Sequence, residues 1–174
     1  MFPNDLSATA CAADRNPKAF DQLPRNIIEG GKASYQDECQ ELIITRVVCI
    51  ENRPIKLLQF LQRRWPAEVS GQFLKADGTP EWESIAVAGL FQGGDHTALI
   101  GTLNGEAWVM CFVAPKDSGK RLQAQAACYG NESATPKGLY FAFNHHPDPN
   151  GCASERQFDD LKASGWVPVA RLWR

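Results

Sequence analysis

The pattern of hydrophobic and polar positions divides the chain at Pro66 into a part with helical periodicity and a part made of short apolar runs. Before Pro66, the residues Leu57, Leu58 and Leu61 recur at the spacing of one helical face. Pro54 stands in the first turn of this segment, and Pro66 cannot continue a helix. The pattern therefore predicts a helix from residue 52 to the residue before Pro66.

Beyond Pro66, apolar runs alternate with turns that contain glycine, which is typical of a β-meander. The predicted strands are 69–75, 84–91, 96–103, 106–114, 121–128 and 139–143. A last helix is predicted from Ser154 to Gly165, and residues 166–173 predict a closing strand at a sheet edge, because Pro168 has no N–H to donate. With an irregular N-terminal arm over 1–32, the chain is predicted to be one α+β domain whose helices pack on a central antiparallel β-sheet.

The segment 34–50 satisfies two patterns at once. Its β-branched residues favour a strand. Its apolar residues also fall on one helical face, and they are Cys39, Leu42, Ile43, Val47 and Ile50. Periodicity alone leaves both structures open.

The dipeptide Asn104-Gly105 is typical of a two-residue β-hairpin turn. Such a turn would fix the register of the two flanking strands, with Leu103 opposite Glu106. Because side chains alternate along a strand, His96 and Cys111 would then share one face, one diagonal step apart. The hairpin therefore predicts a histidine and a cysteine within reach of each other.

Composition excludes several classes of function. The chain has 174 residues, a formal net charge of -2 and scattered basic residues, so no nucleic-acid partner is expected. Its apolar runs are too short to span a bilayer, and the N-terminus has neither the basic start nor the apolar core of a signal peptide. We therefore expect no membrane partner.

Six cysteines are many for a domain of this size, and none forms a CxxC pair or a cysteine–histidine spacing typical of zinc. Neither a metal nor another cofactor is expected. Disulfides are the favoured use of some cysteines, with Cys128 and Cys152 the best pair because they bracket a loop rich in glycine and proline. The cluster from His145 to Asp148 is interpreted as a solvated loop or the rim of a groove.

Cys39 and His96 are the residues that catalysis would use. A cysteine in the first turn of a helix is stabilised as a thiolate by the unpaired backbone N–H groups there. His96, beside a Gly93-Gly94 loop, would take the thiol proton, and Cys111 is the preferred group to orient its ring. On residue types alone, the alternative is that Cys39 is half of a disulfide and His96 ends a strand.

Two short blocks carry a resemblance to a known family. The blocks are Asp37-Glu38-Cys39-Gln40-Glu41-Leu42-Ile43-Ile44 and Gly94-Asp95-His96-Thr97-Ala98-Leu99-Ile100. They resemble the signature blocks of the NlpC-type and CHAP-type cysteine peptidases, most closely the small type VI secretion amidase effectors. The resemblance covers roughly residues 35–115. The chain departs from it at Gln40-Glu41, where the family has small residues after the cysteine.

The resemblance implies a papain-like or NlpC-like core, a helix rather than a strand after Cys39, and catalysis by Cys39, His96 and Cys111. The implied reaction is hydrolysis of amide bonds in peptidoglycan peptide stems through a thioester. The implied setting is an antibacterial effector secreted into the periplasm of a target cell, with a cognate immunity protein as its partner. The competing hypothesis is a non-catalytic, disulfide-braced periplasmic binding or inhibitor protein.

Overall fold

The computed structural model describes residues 19–35, 40–114, 118–119, 124–125, 132–144, 162–163 and 165–171. Its centre is a four-stranded sheet in which the strands follow one another in chain order. These strands are β3 (Ala86–Leu90), β4 (Trp108–Phe112), β7 (Tyr140–Asn144) and β8 (Val167–Arg171). Every neighbouring pair is parallel, with Val87 beside Val109 and Val109 beside Tyr140.

The remaining elements surround this sheet. Three helices are described, namely α1 (Ala19–Glu29), α2 (Asn52–Arg64) and α3 (Gln92–Leu103). Two small antiparallel pairs complete the strands, β1 (Gly31–Tyr35) with β2 (Gln40–Ile44), and β5 (Ser118–Gly119) with β6 (Ala124–Gln125). The architecture is α/β, with the α3 crossover joining β3 to β4.

The predicted central antiparallel sheet is therefore wrong. Residues 96–103 are not a strand but most of α3, so the predicted hairpin with Leu103 opposite Glu106 does not form. Asn104 ends α3, and its N–H donates to the Ile100 carbonyl at 2.9 Å. Asn-Gly marks the end of a helix as well as the centre of a hairpin, and here it does the former.

Small residues explain why α3 packs closely on the sheet. Gly94, Ala98 and Gly101 lie at i, i+4 and i+7 on one helical face. A Cβ built on Gly101 would lie 2.5 Å from Val109 Cγ2 and 2.8 Å from the Tyr140 hydroxyl. The helix is buried on several sides, so the amphipathic period that distinguishes a surface helix is absent from its sequence.

The core lies between the sheet and the helices α1 and α3. Its buried side chains are Ile28, Ala98, Leu99, Ile100, Val109, Cys111, Ala114, Tyr140, Ala142 and Trp166. The Tyr140 and Trp166 rings pack at a centroid distance of 4.5 Å. All strand residues of this set point to the α3 side of the sheet.

Within segment 34–50, residues 34–35 and 40–44 form strands and residues 45–50 form turns, so the helix implied by the resemblance is wrong for residues 40–50. The hairpin β1–β2 pairs Tyr35 with Gln40. The β-branched content of the segment, rather than its apolar spacing, indicated the structure.

Several other predictions are confirmed. Helix α2 begins at Asn52 and ends at Arg64, as the periodicity of its leucines indicated. Strands overlap the predicted ranges 84–91, 106–114, 139–143 and 166–173, and β8 lies at a sheet edge as Pro168 indicated. The predicted strand 69–75 is instead a 3₁₀ turn over Ser70–Phe73. Of the helices in the described part of the chain, none is long and apolar enough to cross a membrane.

Candidate functional site

One face of the parallel sheet is apolar and open to solvent. Along β4 the side chains alternate, so Val109 and Cys111 are buried against α3 while Trp108 and Phe112 are exposed. In-register neighbours on β3, β7 and β8 extend the outward set. We call this surface the open face, and it consists of Leu90, Trp108, Met110, Phe112, Phe141, Phe143 and Val167.

The exposed fractions are large for such side chains. Leu90 is 57% exposed, Trp108 54%, and Phe112 37%. Parallel sheets in α/β proteins are ordinarily covered on both faces, which is why their strands are apolar on both sides. The residues of the open face are likewise apolar, with no charged side chain among them. In the described part of the chain, however, no element covers this face.

The described connections between strands pass on the opposite side of the sheet. Before β7, Thr135 N–H donates to the Gly101 carbonyl of α3 at 3.1 Å. Before β8, Trp166 packs on Tyr140 within the core. This arrangement follows from the right-handed crossovers of a sheet whose parallel strands advance in one direction. The described parts of these connections therefore do not cover the open face.

The turn from β3 into α3 is unusually tight. Phe91 alone separates the two elements, at φ 51° and ψ -126°. Its N–H still donates to the Phe112 carbonyl of β4 at 3.0 Å, and its carbonyl accepts from Gly94 N–H at 2.8 Å. A positive φ is strained for a phenylalanine, so the surrounding structure must enforce it.

Glycines make this turn possible. A Cβ on Gly89 would collide with the carbonyl oxygen of Gly93, and a Cβ on Gly94 would collide with the Cβ of Ala114. The sequence Gly89-x-Phe91-x-Gly93 on a strand–turn–helix is the pattern of a nucleophile elbow, in which a strained turn presents a catalytic serine above the sheet. Here the presented residue is Phe91, which has no nucleophilic atom and is 47% exposed. We call this turn, from Gly89 to Gly94, the elbow.

Strain recurs at the end of the next strand. Val113 follows β4 at φ 54°, and its N–H donates to the Phe143 carbonyl at 2.8 Å. Phe91 and Val113 thus hold left-handed backbone conformations at the carboxyl ends of two adjacent strands. That edge is where open α/β sheets bind their ligands. Strained residues that cluster at such an edge point to a functional surface.

The predicted site residues are placed differently from what the sequence indicated. His96 lies in the first half of α3, and burial lowers the pKa of its imidazole. Cys111 lies in the core on β4, where its thiol donates to the Gly94 carbonyl at 3.4 Å. Burial, and then the charge of Asp95, raise the pKa of the Cys111 thiol, so it stays protonated at neutral pH. The hydrogen-bond partner of the Cys111 thiol is therefore the backbone carbonyl of Gly94, two residues before His96, and not the His96 imidazole.

Cys39 lies outside the described residues, and so its pairing with His96 stays a prediction. The residue after it, Gln40, begins the strand β2. The same limit applies to the predicted pair Cys128–Cys152, the cluster from His145 to Asp148, most of the helix predicted from Ser154, and residues 1–18 of the arm predicted over 1–32. The described part of that arm contains helix α1. Among the described cysteines, Cys49 and Cys111 are free thiols and buried.

A buried carboxyl group lies at the opposite, amino end of β4. Glu106 is 2% exposed, and its Oε2 lies 2.7 Å from the Thr135 hydroxyl. That hydroxyl accepts from Glu106 N–H and is also 2.7 Å from the Asn104 carbonyl. One hydroxyl proton serves only one of the two acceptors, so the network is complete when Glu106 is protonated and donates to Thr135.

The geometry agrees with the electrostatics of this carboxyl group. Glu106 Oε1 has no hydrogen-bond partner among the described residues, and a neutral carboxyl group tolerates this better than a carboxylate. Burial raises the pKa of Glu106 to about 7, and the hydrogen bond between Glu106 and Thr135 opposes this rise. The sequence around Glu106 does not distinguish it from a surface glutamate, so this buried group could not be predicted.

The comparisons with known proteins are negative: no family model, no curated protein and no solved structure matches the chain.

Proposed function

We propose that this chain is a non-catalytic binding protein that uses the open face to hold an apolar surface of another protein. The observation that carries the proposal is the sheet face itself, which presents Trp108, Phe112 and Leu90 to solvent without a charged residue among them. Contiguous apolar surfaces of this kind mark protein–protein interaction sites. Aromatic residues and methionine are the side chains enriched at the centres of such interfaces.

The open face is also prepared for binding. Phe112 and Phe143 already stack, with ring centroids 4.7 Å apart and planes 14° from parallel. Rings that are fixed before binding lose little side-chain entropy when a partner covers them. Burial of an exposed phenylalanine or leucine contributes about 1.5–3 kcal/mol, so a few of these residues suffice for a specific complex.

The elbow supports binding over hydrolysis. Phe91 occupies the position from which a nucleophile would act, and its ring adds apolar surface at the carboxyl end of β3, next to Leu90. Cys111, the described thiol nearest to this region, is buried and protonated. This agrees with the binding or inhibitor protein that the sequence left as the competing hypothesis, and the cysteine-dependent amidase stays a prediction.

The test uses a matched pair of tryptophan substitutions. Trp108 lies on the open face and Trp65 ends α2, and their exposed fractions are similar, 54% and 45%. We expect wild type and Trp65→Arg to capture the same protein from periplasmic extracts, and Trp108→Arg to lose it. With that protein purified, calorimetry is expected to show a Kd at least about 30-fold weaker for Trp108→Arg, the range of an interface hot spot.

The circular dichroism of the three proteins is compared first, so that only folded variants are interpreted. Equal affinity of wild type and Trp108→Arg would overturn the proposal. So would turnover of a peptide or peptidoglycan substrate by the purified wild type.

A further inference from the structure

Helix α2 presents a stripe of basic and apolar side chains to solvent. None of its residues is buried, and on its inner side the Gln62 side chain accepts from Gly71 N–H, which holds the helix on the 3₁₀ turn Ser70–Phe73. The exposed residues of α2 recur at i, i+3, i+4, i+7, i+10 and i+11, which is the spacing of one helical face. We call them the α2 stripe, and they are Arg53, Lys56, Leu57, Phe60, Arg63 and Arg64.

The charge of the α2 stripe differs from that of the whole chain. The helix has four basic residues and no acidic one, whereas the chain has a formal net charge of -2. Neither Lys56 nor Arg63 pairs with an acidic group among the described residues. Glu51, which precedes the helix, is already paired with Arg46 at 2.7 Å. The stripe is therefore a concentrated positive surface that complements an anionic partner.

Large apolar side chains lie among these charges. Leu57 and Phe60 belong to the stripe, and Trp65 follows the helix and is also exposed. The Phe60 and Trp65 rings meet edge to face with their centroids 6.2 Å apart, and the guanidinium carbon of Arg64 lies 5.5 Å from the centroid of the Trp65 ring. A partner of this surface must therefore accept apolar side chains and present negative charges at the same place.

We propose that α2 binds the surface of a membrane that contains anionic lipids. The helix would lie parallel to the bilayer, with Leu57 and Phe60 among the headgroups and its basic side chains on the lipid phosphates. Apolar runs too short to span a bilayer do not exclude this mode of binding. The phosphate backbone of a nucleic acid would match the charges but would leave Leu57 without an apolar contact. An anionic leaflet satisfies both requirements and needs no complementary shape, which suits the convex face of a helix.

The experiment measures cosedimentation of the full chain with vesicles of phosphatidylcholine alone, or of phosphatidylcholine with an equal amount of phosphatidylglycerol. Wild type is expected to bind the anionic vesicles at least about tenfold more tightly than the neutral ones, and added salt is expected to weaken this binding. Lys56→Gln combined with Arg63→Gln is expected to weaken it by about tenfold or more, because each basic residue near an anionic leaflet contributes about fivefold.

Two matched controls separate the α2 stripe from the rest of the surface. Lys32→Gln combined with Lys162→Gln removes the same charge from exposed positions outside α2, and it is expected to bind the anionic vesicles as wild type does. Leu57 and Leu90 are similarly exposed, by 56% and 57%. Leu57→Ala is expected to weaken vesicle binding by about fivefold or more, whereas Leu90→Ala, on the open face, is expected to leave it unchanged.

All the substituted side chains are exposed, so the variants are expected to keep the fold, which circular dichroism checks. Wild type that binds neither kind of vesicle, or both equally, would overturn the inference. So would a loss of binding in either control as large as in its α2 counterpart, or wild-type affinity in the variant that lacks Lys56 and Arg63. Binding of duplex DNA in place of anionic vesicles would also overturn it and would assign the α2 stripe to nucleic acid.

Discussion

Phe112 and Phe143 stack on the side of the sheet that α3 does not cover, with ring centroids 4.7 Å apart. The two residues lie in register on the adjacent parallel strands β4 and β7. The residues that precede them, Cys111 and Ala142, point to the other side of the sheet and are buried. An aromatic stack of this kind contributes about 0.5–1.5 kcal/mol beyond the burial of its area. It holds two rings in a fixed arrangement that faces solvent, and this is the physical basis for regarding the open face as a binding surface.

The elbow predicts a sharp difference between two neighbouring glycines. Gly89→Ala is expected to destabilise the protein by about 3 kcal/mol, because its Cβ would collide with a backbone oxygen that has no room to move. Gly93→Ala is the matched control, since a Cβ there meets nothing within 4 Å. It is expected to be neutral or to stabilise by up to about 1 kcal/mol, because alanine favours a helix. Urea unfolding measures both, and equal stabilities of the two variants would contradict the elbow geometry.

The sequence located the strands of the sheet better than it located their direction. Apolar runs indicated where β3, β4, β7 and β8 lie, but strand direction depends on crossovers that no local pattern encodes. A usable signal was present in β4, where Trp108 and Phe112 alternate with Val109 and Cys111. A run that is apolar on both faces is typical of parallel strands.

The error at α3 had a local cause. Thr97 and Ile100 favour a strand, and Asn104-Gly105 completes the pattern of a hairpin. Packing against the sheet overrides these preferences, because Gly94 allows the helix to approach Ala114 closely and Gly101 allows it to approach Val109 closely. The candidate site was missed for a related reason, since the elbow is recognisable only once a helix follows β3.

Glu106 predicts a pH dependence of stability. The pKa of this group rises from 4.5 in the unfolded chain to about 7 in the folded protein. The stabilisation of the folded protein by the protonated Glu106 is therefore fully present below pH 4.5, declines as the pH rises, and is lost above about pH 7. The free energy of unfolding of wild type relative to Glu106→Gln should fall by about 3 kcal/mol between these limits.

The comparison with Glu106→Gln also removes the effect of His96. Burial lowers the pKa of His96 in the folded protein, so its contribution is present above the unfolded value of 6.5 and is lost as the pH falls. This slope has the opposite sign and is common to both proteins, so it cancels in their difference. Parallel pH profiles for wild type and Glu106→Gln would contradict the assignment.

The amidase hypothesis makes the opposite prediction to the binding proposal. As a binding protein, the purified chain should leave peptidoglycan undigested, and native iodoacetamide should label Cys111 slowly because it is buried. As an amidase, it should contain one fast-reacting thiol at Cys39. Cys39→Ala and His96→Ala should then each abolish hydrolysis without unfolding the protein, and Cys111→Ala should matter less. Mass spectrometry of the digests and of the labelled peptides distinguishes the two.

The most direct test of the open face is hydroxyl-radical footprinting of the free protein and of its complex with the captured partner. Trp108, Met110 and Phe112 are expected to lose most of their oxidation in the complex, while Phe60 and Trp65, exposed by 50% and 45%, keep theirs. Protection of Phe60 and Trp65 with continued oxidation of Trp108 would contradict the account.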